Sequence, residues 1–154
     1  MAEVMHTCAA AGASFLIAVL WFDLMFDVQT RRRGGGDLPA EVLASIGGYY
    51  RRVTTQATPM NRLITLVMAV TVVSIVVEIV RGGAPWWVGW ISLAAAVGGI
   101  GRAATRTVPD AVRLGRALDP VEVQSRLARS IYRDHVFCLA VMGVVLGLQL
   151  TVGI

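Results

Sequence analysis

Four apolar blocks, at residues 8–28, 63–80, 85–101 and 136–154, divide this 154-residue chain, and its charge lies almost wholly between them. A helix rises about 1.5 Å per residue and the hydrocarbon core of a bilayer is about 30 Å thick, so a span takes about 17 to 25 residues. All four blocks reach that length. The chain is 56% apolar and 16% charged, against about 45 to 50% and about 25% in soluble domains. Four such helices leave too few polar positions to cover the wet face of a soluble bundle. The pattern predicts an all-α fold, a polytopic four-transmembrane-helix bundle with spans near 8–28, 62–80, 85–104 and 135–153. It reads as a single integral membrane domain. A secretory leader would open on basic residues, but Glu3 and His6 are the only ionisable side chains ahead of the first block, which is read as a true first span.

Arginine supplies every Lys/Arg-type charge, and thirteen of the fourteen lie in two stretches. Arg31, Arg32, Arg33, Arg51, Arg52 and Arg62 fall between blocks one and two. Arg102, Arg106, Arg113, Arg116, Arg126, Arg129 and Arg133 fall between blocks three and four, and Arg81 alone lies elsewhere. Positive loops are retained on the cytoplasmic side. The bias therefore predicts cytoplasmic loops at 29–61 and 105–134, external N- and C-termini, and an outer belt of Trp86, Trp87 and Trp90 in a cell inner membrane. Anionic headgroups of the inner leaflet are the expected partner of the arginines. Nucleic acid is not, because no base-reading motif or aromatic-interleaved groove accompanies them.

Within the first loop, Asp37 and Pro39 read as a helix start, and Leu38, Val42, Ile46, Tyr49 and Val53 recur at three or four residues as one apolar stripe. The expectation is an amphipathic, interfacial helix on the inner leaflet, with Tyr49, Tyr50, Arg51 and Arg52, together with Arg31, Arg32 and Arg33, at the headgroups or a partner. The second loop predicts a short helix over 107–114 ended by Gly115. Asp119, Pro120 and Glu122 then start one long helix reaching position 150.

Ionisable groups inside a span cost about 2.5 to 3.5 kcal/mol on insertion scales. Asp23 and Asp27 are four apart on one face of the first span, Asp23 about 6 Å deeper. His135 opens the fourth span at the same membrane face, with Cys138 one turn in. Asp23, Asp27 and His135 are therefore expected to converge, either as a cluster that locks the bundle or as a catalytic acid/base pair, since a carboxylate partner raises the basicity of imidazole. A second, outer polar cluster is expected from His6 and Glu78, solvated at the outer face or forming a proton or cation entry point. His6 and His135 fall near opposite faces, about 30 Å apart, so they cannot ligate one haem. Cys8 and Cys138 cannot pair for the same reason. No cofactor and no metal site is expected. Gly143 and Gly147, like Ala95 and Gly99, form small-xxx-small pairs that suit close helix packing.

The Tyr-Tyr-Arg-Arg segment at 49–52 leading into span two, and Arg133-Asp134-His135 leading into span four, give a layout that resembles the small membrane proteins of the anthrone-oxygenase-like family. That resemblance implies cofactor-free oxygenation of an aromatic polyketide, with His135 as base. The chain departs from the family in carrying aspartates in span one. The leading functional expectation is a non-catalytic membrane subunit or lipid- or partner-binding module, with a homo-oligomer or a larger membrane complex as its setting. The alternatives are a membrane-embedded enzyme using Asp23, Asp27 and His135 on a hydrophobic substrate, and a small proton-coupled carrier.

Overall fold

The computed structural model describes residues 2–33 and 36–152, with their side chains except those of residues 2, 3, 32 and 33. The described residues are helical in the order α1 (Ala2–Asp27), a 3₁₀ turn (Val28–Arg33), α2 (Ala40–Arg51), a π-helical turn (Arg52–Gln56), α3 (Thr58–Arg81), α4 (Trp86–Arg102), a second π-helical turn (Ala103–Thr107), α5 (Val108–Arg116) and α6 (Val121–Val152). Four continuous helical stretches are long and apolar enough to cross a membrane: Val4–Arg31, Thr58–Arg81, Trp86–Arg116 and Val121–Val152. This is a multi-pass, all-α bundle, as the four blocks predict.

The long helices form a four-membered ring. α1 packs on α3 and α6, and α4 packs on the same two helices from the other side. The ring interior is made of small and polar residues: Ala9, Ala13, Thr71, Ser74, Ser92 and Ala96 are all buried, alongside Leu16, Ile75 and Val145. Large apolar side chains lie outside instead. Trp21, Leu66, Val73, Val80 and Val97 are all more than half exposed. That distribution suits hydrocarbon, where helix association comes from close packing and polar contacts and not from burying leucine. Gly12 marks one such approach, because a Cβ there would fall 2.1 Å from the Thr71 hydroxyl. Gly99 likewise seats α4 on α6, but Gly143 and Gly147 meet nothing within 4 Å. That second pair faces outward and does not pack the bundle as its spacing suggested.

A second core lies at the arginine-rich end. Leu38, Val42, Leu43, Ile46 and Tyr50 pack against Ala111 and Leu114 of α5 and Leu127, Ala128 and Ile131 of α6. The α2 stripe is thus amphipathic as read, but protein covers it and not lipid. A periodic stripe states only that a face is buried; the partner is the α5 hairpin onto the first third of α6. Gly115 makes this crossing possible, since a Cβ there would lie 2.8 Å from the Arg51 backbone nitrogen. Gly115 accordingly does not end α5. The helix runs to Arg116 and closes on Ala117 in the left-handed region at φ 53°.

Two caps also differ from expectation. α2 starts after Pro39 with no side-chain cap, and the Leu38 N–H donates to Ser125 Oγ across the second core at 2.9 Å. Asp119 is held in two bonds by Arg113, at 2.8 and 2.7 Å, which pulls its carboxyl below the usual range. Gln124 reaches back to the Asp119 carbonyl instead. The long helix from Pro120 forms as predicted, with its first turns beside α2 and α5 and its remainder in the ring.

Candidate functional site

α1 and α6 are ring neighbours, so the last two turns of the one and the midpoint of the other share a level. Asp27 is completely buried there. Its Oδ2 lies 2.7 Å from His135 Nδ1 and its Oδ1 accepts from the Tyr50 hydroxyl at 2.6 Å. Because the carboxylate accepts, the proton of this pair sits on Nδ1. The opposite edge of the imidazole, Nε2, faces Asp23 Oδ2 at 3.8 Å, beyond hydrogen-bond distance. Asp23 is in turn held by the Tyr49 hydroxyl at 2.6 Å, and Tyr49 stacks on Phe26 with centroids 4.1 Å apart. The expected meeting of Asp23, Asp27 and His135 is therefore present.

The tyrosines stand elsewhere than the headgroup position foreseen for them. Tyr50 is 2% exposed, and both hydroxyls point at the aspartates. Once α2 docks on α5 and α6, its two adjacent tyrosines are carried over the end of α1. Burial first, and then the charges of Asp27 and Asp23, push the Tyr50 phenol far above its ordinary value; burial and Asp23 do the same to Tyr49. Both remain donors at any physiological pH. Arg51 and Arg52 do stay exposed, bonded to the carbonyls of Gly115 and Gly48. Arg31 is exposed, and the side chains of Arg32 and Arg33 lie outside the described residues.

One further acid belongs to this region although it was not among the predicted site residues. Asp134 is buried and takes the Arg102 guanidinium at 2.6 and 2.8 Å, with Arg106 at 3.6 Å and the Thr107 hydroxyl at 3.3 Å. This pair ties α4 to α6 one residue before His135. Its signal in the sequence was the two arginines ending span three opposite an aspartate opening span four.

Above the cluster lies a cavity of about 390 Å³ between α1, α3, α4 and α6, floored by α2 and α5. Leu16, Leu20, Met68, Ile100 and Met142 supply apolar walls, and Asp23, Tyr49, Tyr50 and His135 close the arginine-side end. Asp27 is not in the lining and stands behind the imidazole. The arrangement is a carboxylate that holds one edge of a histidine whose ring, with Asp23 beside its Nε2, lines an apolar cavity of the size that takes a small ligand.

The outer polar pair also meets, but not at a solvated surface. Glu78 is 1% exposed and His6 Nδ1 lies 3.8 Å from its Oε1. Gln149, fully buried, sits at the centre: its Oε1 is 2.9 Å from His6 Nδ1, and its Nε2 donates to Glu78 Oε2 at 3.1 Å and Ser92 Oγ at 3.5 Å. The solvated reading is corrected because an amide in a charge-free span provides buried partners that a search for charge passes over. Among the described residues, no three His, Cys, Asp or Glu side chains are grouped to hold a metal ion.

Fold and site together define a polytopic helical membrane protein with an acid–histidine cluster closing an apolar chamber. No protein-family model matches the chain, and neither a curated protein nor a solved structure is detectably similar to it.

Proposed function

We propose that the protein is a membrane-embedded enzyme that admits a small hydrophobic molecule to the chamber and removes a proton from its acidic O–H or C–H group. His135 Nε2 takes the proton. Asp27 holds the ring through Nδ1 and stabilises the imidazolium that forms, and Tyr50 steadies Asp27. Asp23, with Tyr49, lies beside Nε2 and favours the same charged ring. The observation that carries this reading is a buried carboxylate 2.7 Å from Nδ1 of a histidine that also lines a largely apolar cavity. A headgroup-docking module is supported less well, because its two tyrosines are turned into the protein. A phenol of two or three fused rings is a substrate of the size and polarity such a cavity would admit. The arginine-rich end faces the cytoplasm in this reading, so such a molecule enters from the inner leaflet.

A two-ring phenol, 2-naphthol, provides the test. Bound to the detergent-solubilised protein at a pH where the free compound is neutral, it is expected to show the absorption of the naphtholate. In His135→Asn it binds with the neutral spectrum. Equal spectra in both proteins, or no binding to either, would refute the proposal.

A further inference from the structure

A separate groove runs along the arginine-rich end, on the side of α5 away from the chamber. It is open, about 870 Å³, and lined by Arg31, Arg106, Arg113, Arg126, Arg129 and Arg133, with Asp110 as its acidic lining residue. Arg113 is committed to Asp119 and Arg106 leans on Asp134. Arg31, Arg126 and Arg133 enter no ion pair among the described residues. Arg129 donates to the Gly36 carbonyl while its Nε is buried with no hydrogen-bond partner among the described residues. Ser130 and Tyr132 also line the groove, and the Ser130 hydroxyl accepts from Arg106 at 3.0 Å. Retention of positive loops explains why arginines are at this end; it does not explain why the 3₁₀ turn after α1, the second π-helical turn, α5 and α6 turn six of them onto one concavity.

Depth identifies the ligand. Arg31 follows Asp27 by four residues and Arg133 precedes His135 by two, so both lie where the spans leave hydrocarbon. Arg126 lies two turns further from the bilayer on α6, about 10 Å by helix rise. The headgroup layer is only about 5 to 8 Å deep on each side. One phosphate held by Arg31 and Arg133 would leave Arg126 and Arg129 facing water.

The geometry points to a binding site for an anionic lipid whose headgroup carries two phosphates, one held at the level of Arg31, Arg106 and Arg133 and the other by Arg126 and Arg129. Guanidinium groups bind phosphate oxygens in pairs of hydrogen bonds, and basic pockets at the ends of spans take such headgroups. This site is independent of the chamber and stands whether or not His135 is catalytic.

The full chain, purified in detergent, is titrated with phosphatidylinositol 4-phosphate, phosphatidylinositol and free inositol 1,4-bisphosphate, and bound ligand is counted by native mass spectrometry. Phosphatidylinositol 4-phosphate, whose second phosphate stands away from the acyl chains, is expected to bind more tightly than phosphatidylinositol. Arg126→Gln and Arg133→Gln, both at exposed positions, should each weaken it about fivefold with unchanged circular dichroism. Arg81→Gln, the same charge change at the far end of α3, should leave it unaltered. Three results would each overturn the assignment. Equal retention of the two lipids removes the second phosphate. Equal losses in all three variants mean diffuse attraction. Inositol 1,4-bisphosphate bound as tightly as phosphatidylinositol 4-phosphate makes the ligand a soluble phosphate and not a lipid.

Discussion

Removing the Tyr50 hydroxyl takes away its bond to Asp27 and a longer approach, 3.4 Å, to His135 Nδ1. In Tyr50→Phe the ring keeps its place in the second core and its edge contact with Tyr49, at 5.3 Å between centroids. What disappears is an O–H donated at 2.6 Å to a carboxylate with no exposure to solvent. Hydrogen bonds to charged groups contribute about 1.5 to 3 kcal/mol. Asp27 keeps its second donor, His135, so the lower half of that range applies, about 2 kcal/mol, or about thirtyfold in the folding equilibrium. Reversible unfolding in mixed micelles, followed by circular dichroism, measures it. In the Asp27→Asn background the acceptor has lost its charge, and the same substitution should cost less than about 0.5 kcal/mol, giving a coupling of about 1.5 kcal/mol in the double-mutant cycle. Naphtholate formation should survive in Tyr50→Phe, because the Nδ1 partner is intact. Additive single substitutions would sink the argument, for they would mean that Tyr50 and Asp27 do not act on one another.

Two other expectations follow from the same packing. Tyr49 and Tyr50 have folded-state phenol values raised above the unfolded value of about 10; their contribution is therefore full below pH 10 and lost as pH rises above it, so stability should fall between pH 10 and 12, and Tyr49→Phe/Tyr50→Phe should flatten that fall. An equally steep decline in the double variant would show that other groups are responsible. Gly115→Ala places a Cβ against the Arg51 backbone and 3.3 Å from the Tyr50 carbonyl carbon, which should cost about 1 to 3 kcal/mol by overpacking and weaken naphthol binding by displacing Tyr50. A variant with wild-type stability and binding would show that the α2–α5 crossing does not set the floor of the chamber.

Much of this fold can be read from the chain because a span is a local property, fixed by the length of an apolar run. The meeting of Asp27 with His135 was also legible, since depth along two helices is arithmetic and both residues begin or end a span at one face. Tyr50 was not. Its partner lies 23 residues away in sequence and is reached only after α2 docks on α5 and α6, a choice that a 3.6-residue stripe does not encode. The same gap explains Glu78. Its meeting with His6 was expected, but its burial depends on Gln149, an uncharged residue in a span that reads as wholly apolar. Backbone-level punctuation failed for a related reason: Gly115 serves a helix crossing, and Asp119 is taken by Arg113 before it can cap α6.

The two buried polar clusters have different chemical prospects, and the difference lies in what their histidines face. In the Glu78 cluster Gln149 bridges His6, Glu78 and Ser92 from the centre, and one Glu78 carboxylate oxygen has no hydrogen-bond partner among the described residues. Bridging of that kind binds α1, α3, α4 and α6 together, since each contributes one residue, and interhelical hydrogen bonds are what a bundle in hydrocarbon has in place of a hydrophobic drive. The Asp27 cluster is closed only behind His135. Tyr50 and Nδ1 occupy the two carboxylate oxygens, Tyr49 occupies Asp23, and among the described residues no donor comes within hydrogen-bond distance of Nε2. His6 lines neither the chamber nor the arginine-rich groove, whereas His135 lines the apolar cavity. That is the difference on which the proposed proton acceptor rests, its ring oriented by Asp27 before any substrate would bind.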